Sequence, residues 1–253
     1  MTQRRPNIFK KKWARWLMRR DWGRKLMFAL FGKKKDKKNG WPVWVAKTDE
    51  ERIENMPWIL KEKEPWIVTE KIDGTSTTFT MRRKRFGKFD FYVCSRNVCF
   101  DSVNKPCYYD TNVYWEMAKK YDMYNVLKHI LEDIPYAEWV TIQGETYGDG
   151  IQKNGYDISG HDFAAFNFIT SSGGRMNSEV MKCYLENEYK VPCVPILDKN
   201  FILPDTVEEL RQYVNSEVST INHKMKEGIV CRSLDGVKSF KCVSPEYLLK
   251  YHG

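Results

Sequence analysis

Apolar positions along this chain change their spacing several times, and each change marks an element. Residues 111–133 carry Tyr114, Met117, Tyr121, Tyr124, Leu127 and Leu131 at three- and four-residue steps, which keeps these side chains on one helical face. That pattern predicts a single amphipathic helix from Thr111 to Asp133, stopped by Pro135. Its stripe reads as core, not as a cofactor surface. Residues 205–214 predict a second helix. Ser244-Pro245-Glu246 then places a capping serine before a first-turn proline and opens a short helix to Tyr251. Elsewhere, alternation or short apolar runs predict strands at 65–68, 77–82, 89–95, 139–143, 164–170 and 193–197. Residues 228–232 and 237–243 read as a hairpin about Asp235-Gly236. Strands outnumber helices without strand–helix–strand alternation. The expected class is therefore α+β, with largely antiparallel sheets and flanking helices.

The first forty residues differ from the rest. Trp13, Trp16, Leu17, Trp22, Leu26, Met27 and Leu30 stand among basic residues, several at helical spacing. This predicts a basic amphipathic helical arm, followed by a polar linker, KKKDKKNG, at 33–40. Residues 1–38 hold 15 of the 42 Lys and Arg and two of the 33 Asp and Glu, a net +13, which leaves −4 for the remainder of a chain whose total is +9. Basicity belongs to the arm. Such an asymmetry points to an anionic partner. An RNA contact, with cations on phosphates and Trp on bases, is the favoured reading. A membrane contact, organelle targeting, or a helix packed on the body are the others. The expected organisation is an arm and linker over 1–40 and one catalytic domain over 41–253.

Seven scattered cysteines without a Cys-x-x-Cys pair argue against a disulfide framework or zinc site and for a reducing, intracellular compartment. No run reaches the ~20 apolar residues of a membrane span.

The chemistry concentrates at Thr69-Glu70-Lys71-Ile72-Asp73-Gly74-Thr75-Ser76. An ammonium with an unperturbed pKa near ~10.4 is a poor nucleophile unless its surroundings activate it. An apolar strand, neighbouring cations and a bound metal would favour the neutral amine at Lys71. Gly74 would let the backbone turn tightly and bring a phosphate close. Five clusters follow in order: Ser95-Arg96-Asn97, Gln143-Gly144-Glu145-Thr146-Tyr147-Gly148, Phe166-Asn167-Phe168, Glu227-Gly228-Ile229-Val230 and Lys238-Ser239-Phe240-Lys241. Any one of them is weak; six in series are specific.

With Lys71-Ile72-Asp73-Gly74, the series resembles the motifs of covalent nucleotidyltransferases. It is most similar to ATP-dependent RNA ligases of the phage RNA ligase 2-like group. The resemblance covers roughly residues 65–253. It implies a nucleotidyltransferase (ATP-grasp-like ligase) domain that uses ATP and Mg²⁺ or Mn²⁺. It also implies an RNA substrate with 5′-phosphate and 3′-hydroxyl ends, sealed through lysyl-AMP. Lys71 would be the nucleophile. Lys241 and Lys238 would face the phosphates, and Glu227 would give the metal an oxygen, directly or through water. Glu145 and Arg96 would bind the ribose hydroxyls, Phe166 would offer a flat face to the adenine, and Glu70 and Asp73 complete the ATP-binding set. Strand alternation puts Phe166 and Phe168 on one face, making Phe168 a rival for the ring and Phe163 a core residue.

Two departures stand out. The family's last motif usually carries two lysines one residue apart, whereas here Ser239 stands at the first position, with Lys238 one step earlier. Only residues 242–253 follow Lys241, so RNA engagement is expected from the arm or from a partner protein. Lys-x-Asp-Gly also serves DNA ligases and GTP-dependent capping enzymes, and a non-catalytic nucleic-acid-binding protein could keep the fold. These stand as the alternatives.

Overall fold

The computed structural model describes residues 40–47, 49–100, 107–216 and 218–253. The expected arm and linker, Gly40 excepted, lie outside the described residues. From Trp41 onward the chain is an α+β domain with two antiparallel sheets.

Ten strands form in chain order: β1 Trp66–Lys71, β2 Thr75–Arg83, β3 Phe89–Cys94, β4 Cys99–Phe100, β5 Trp139–Gly148, β6 His161–Thr170, β7 Gly174–Arg175, β8 Ile196–Phe201, β9 Gly228–Ser233 and β10 Ser239–Val243. One sheet runs β10-β9-β1-β8 and the other β4-β3-β2-β5-β6-β7. Five α-helices flank them: α1 Val113–Lys120, α2 Met123–Asp133, α3 Ser178–Tyr189, α4 Val207–Ser216 and α5 Pro245–Tyr251.

The six-stranded sheet buries one face, with Phe79, Met81, Val140, Ile142 and Phe163, against Met117, Leu127, Ile130 and Leu131 of α1 and α2 and Met181 and Leu185 of α3. The four-stranded sheet packs Trp66, Val68, Ile229, Cys231, Phe240 and Cys242 against Leu210 and Val214 of α4 and the 3₁₀ turns at Ile53–Asn55 and Pro57–Lys61. A smaller cluster of Ile72, Tyr147, Tyr156, Ala164 and Val194 lies apart from both.

The single helix expected over 111–133 is two. Asp122 adopts a left-handed backbone, φ 47°, and α2 starts afresh beyond it. The buried positions explain the break: 113, 114, 117 and 118 lead to 123, 126, 127, 130 and 131, and the five-residue step from 118 to 123 is out of helical phase. Tyr124, assigned to the stripe, is 45% exposed. The strand expected at 193–197 begins later, at Ile196, and Cys193 makes only an isolated parallel bridge to Ala165. Helix α3 was not anticipated. Its cap is legible, since the Asn177 side chain accepts from the Glu179 and Val180 amides, but its buried set is only Ser178, Met181 and Leu185. The closing helix forms as expected, with Ser244 accepting from the Tyr247 amide.

Candidate active site

The segment Ile72-Asp73-Gly74 carries the chain from β1 in one sheet to β2 in the other. It therefore crosses the gap between them. A Cβ at Gly74 would lie 2.3 Å from the Thr146 carbonyl and 2.9 Å from Glu145 Cγ, well inside van der Waals contact. The glycine lets the crossing press against β5 beside Glu145, and it also lines the cleft.

Alternation then sorts the side chains. On β1, Trp66 and Val68 go to the core, while Thr69 and Lys71 face a cleft of about 340 Å³ between the sheets. Ligand pockets start at roughly 300 Å³. On β9 and β10, Ile229, Cys231, Phe240 and Cys242 are core, while Val230, Arg232 and Lys241 line the cleft. The opposite wall brings Ser76 from β2, Glu145 from β5 and Phe166 from β6, with Arg96 from the turn between β3 and β4. Residues separated by up to 170 positions thus converge on Lys71.

The Lys71 ammonium donates to both oxygens of Glu227, at 2.7 and 2.6 Å. Burial works against its charge, yet Glu227, Glu145 and Asp73 outweigh burial and hold Lys71 above the ordinary lysine range. The neutral amine expected from sequence depends on a bound metal as well as on neighbouring cations, and the protein groups alone favour the ammonium. The cations anticipated near it are outnumbered by carboxylates. Burial pushes Glu145 up to about 8 against the pull of Lys71, with Glu227 and Asp73 adding to the rise. Burial likewise raises Glu227. Lys241 is lowered, first by burial and then by Lys71. Among the described residues no carboxylate lies within ion-pair reach of the Lys241 ammonium.

Two expected site residues, Lys238 and Asp73, point away from the cleft, and a third, Glu70, reaches its wall already engaged. The Lys238 ammonium leaves the cleft and pairs with Glu62 at 2.7 Å, because Lys238 precedes β10 and is out of step with Lys241. Glu70 reaches the cleft wall, but its carboxylate is taken by the Ser219 hydroxyl and by the Thr220 amide and hydroxyl, at 3.0 and 2.9 Å. It anchors that turn from the cleft wall. Asp73 turns away to α5, where Tyr247 donates to Oδ2 at 3.1 Å and His252 meets the same oxygen at 2.9 Å.

Phe166 and Phe168 do not share a face. Ala165 pairs with Gly144 but Asn167 pairs with Gln143, so Phe166 is the extra residue of a β-bulge that resets the alternation. Phe168 joins Phe163 in the core, against Tyr184. Phe166 stays with Ile72, Ala164 and Val194 at the cleft.

The family model for RNA ligase matches residues 64–252, three quarters of the chain. The chain belongs to the RNA ligase family. Several solved structures of Naegleria gruberi RNA ligase are similar to it. The complex with pyrophosphate is 29% identical with a TM-score of 0.68, and the match covers 84% of this chain and 59% of that one. A variant with ATP and manganese gives 28%, 0.68, 84% and 59%. A variant with AMP and manganese gives 29%, 0.68, 84% and 60%. The chain thus spans about three fifths of the length of these ligases. No match was found among curated proteins.

One part of this RNA ligase cleft escaped the sequence reading. Glu50 lies at its edge and takes Arg232 at 3.1 Å, Arg175 at 3.3 Å and the Ser239 hydroxyl. Arg232 is 4% exposed, and its Nη1 donates to the Phe166 carbonyl at 2.5 Å. Ser239, standing where the family's first lysine is usual, is therefore committed to this network. The only trace in sequence is that Arg232 closes the EGIVCR motif; Glu50 carries none.

Proposed function

We propose that this chain forms lysyl-AMP on Lys71 from ATP and spends the adenylate to join a 5′-phosphate RNA end to a 3′-hydroxyl. One observation carries the reading: the Lys71 amine, held by Glu227, faces a cleft that also presents an unpaired Lys241, an aromatic wall at Phe166, and Glu145 and Arg96.

In the first step the amine attacks the α-phosphorus. A nitrogen–phosphorus bond forms, the bond to the β-bridging oxygen breaks, and pyrophosphate leaves. The Lys71 ammonium must first lose a proton, and Glu227, in contact with it, is placed to receive that proton. Lys241 would meet the phosphates, its ammonium having no carboxylate within ion-pair reach among the described residues. Phe166, with Val194 and Val230, suits the flat adenine. Glu145 and Arg96 suit ribose hydroxyls, one accepting and one donating. AMP then passes to the RNA 5′-phosphate, and attack by the 3′-hydroxyl seals the strand and frees AMP. Positioning and charge stabilisation supply most of the catalysis in such transfers.

A divalent cation, magnesium or manganese, supplies positive charge to the phosphates when bound. The residues fit one reached through water. Three carboxylates surround a single ammonium, yet among the described residues no group of three or more His, Cys, Asp or Glu is spaced to hold an ion directly. Glu227, backed by Glu145, would hold it. Manganese with ATP or AMP in the Naegleria ligase agrees with this. The basic arm over residues 1–40, alone or with a partner protein, would engage the RNA.

Intact mass after incubation with ATP and Mg²⁺ tests the reading. Wild type gains one AMP and Lys71→Ala gains none, and adding nicked or single-stranded RNA discharges the adduct. Uptake of GMP from GTP instead would move the chain to the capping class, and discharge only by nicked DNA would make it a DNA ligase. No adduct, in protein shown free of AMP at the start, would leave a binding role.

A further inference from the structure

Asp73 is fixed from three directions. Tyr247 and His252 both engage Oδ2, while the Asp73 amide donates to the Tyr156 hydroxyl at 3.0 Å. Tyr247 is itself enclosed. It is 1% exposed, packs at a 33° tilt on Tyr251 with ring centroids 4.5 Å apart, and has its hydroxyl 2.6 Å from where a Cβ on Gly155 would stand. The helix that carries it also holds the second acid. Ser244, the N-cap of α5, donates its amide to the Glu227 carbonyl at 2.8 Å and its hydroxyl to Asn215 at 2.8 Å. One seven-residue helix therefore grips both acids beside Lys71, Asp73 through its side chain and Glu227 through its backbone.

We propose that α5 is a positioning element for the nucleophile, with Tyr247 and His252 as positioning residues that commit one oxygen of Asp73 to the helix. The inference rests on the adenylylation reading. A carboxylate two residues from an ammonium turns towards it unless something else holds it. Freed from α5, Asp73 would give Lys71 a second anionic partner, and both partners would have to be broken before the amine could reach phosphorus. The clamp leaves Glu227 as the one hydrogen-bonding partner of the Lys71 ammonium among the described residues. Because neither Tyr247 nor His252 lines the cleft, its loss should slow the chemical step without weakening ATP.

Single-turnover AMP uptake by the full chain, followed by intact mass over a range of ATP concentrations, tests this. Tyr247→Phe with His252→Ala should lower the maximal rate by about tenfold, with half-saturating ATP changed less than about threefold. Tyr247→Phe with His252→Gln in place of His252→Ala should recover much of the rate, since the glutamine amide nitrogen can donate to the same oxygen. Thermal melting gives a readout independent of chemistry: the Tm losses of Tyr247→Phe and Asp73→Asn should sum to more than that of the double variant. A folded clamp-less variant with the full maximal rate, a loss confined to ATP affinity, or additive Tm changes would overturn the proposal. A wild type that takes up no AMP would overturn the adenylylation reading and the positioning role with it, and the melting cycle would then judge the clamp alone.

Discussion

Glu50→Gln is the sharpest test of how the cleft is held together. The Glu50 carboxylate takes two guanidiniums, Arg232 at 3.1 Å and Arg175 at 3.3 Å, and the Ser239 hydroxyl. Arg232 is 4% exposed, so removing the anion strands a buried cation. Breaking a buried pair from one side costs about 3–5 kcal/mol. For a chain of this size each kcal/mol lowers Tm by roughly 2–4 °C, so the expected loss is about 6–20 °C. Acid should mimic the substitution. Burial raises the Glu50 carboxyl, but Arg232, Ser239 and Arg175 outweigh it and leave the group below its ordinary 4.5. A depressed carboxylate contributes stability that is fully present above the unfolded value and is lost as pH falls through the folded one. The gap between wild type and Glu50→Gln should thus be widest near neutrality and close below pH ~4. Thermal melts of both proteins at several pH values measure it. Replacing Glu50 and Arg232 together by apolar residues should cost less than Glu50→Gln alone. A Tm loss under about 2 °C at pH 7, or an equal loss at pH 3 and pH 7, would refute the argument.

Phe166→Ala should raise half-saturating ATP for adenylylation with little change in Tm, whereas Phe168→Ala should cost about 3–5 kcal/mol of stability and leave ATP binding intact in the folded fraction; melts and AMP uptake separate the two. Lys241→Ala should abolish or severely slow AMP uptake while Lys238→Ala, which loses only an exposed pair with Glu62, stays within about twofold of wild type. Because the protein groups around Lys71 favour its ammonium, the amine must lose a proton before attack, so the rate of AMP uptake should climb with pH from ~7 to ~9 in a single-turnover profile, and a flat profile would contradict a deprotonation on the way to the adduct. Removing residues 1–38 should leave AMP uptake unchanged but weaken discharge by RNA, with a shallower dependence on salt, since each lost phosphate contact lowers the slope by about 0.7–0.9.

The sequence by itself determined the elements that depend on local spacing and the order of the motifs. Alternation in TEKIDG, EGIVCR and SFKCV divides each strand's side chains between two faces, but that Lys71, Val230 and Lys241 share a cleft wall follows only from the pairing of β1, β9 and β10. The Ser244-Pro245 cap is equally local. Tertiary structure alone decided what depends on residues far apart in the chain. The charge balance at Lys71 follows from Glu227 and Glu145, 156 and 74 positions away, and their negative field reverses the value that an isolated apolar strand would impose. The bulge at Phe166 arises from pairing with β5, so no count along β6 could show that Phe168 would turn inward. Glu50 lies outside every motif and acquires its role only because β9 and β10 bring Arg232 and Ser239 to it. Periodicity is a property of neighbours, whereas electrostatics and strand register are properties of whatever folding brings near, and that is where the two readings part.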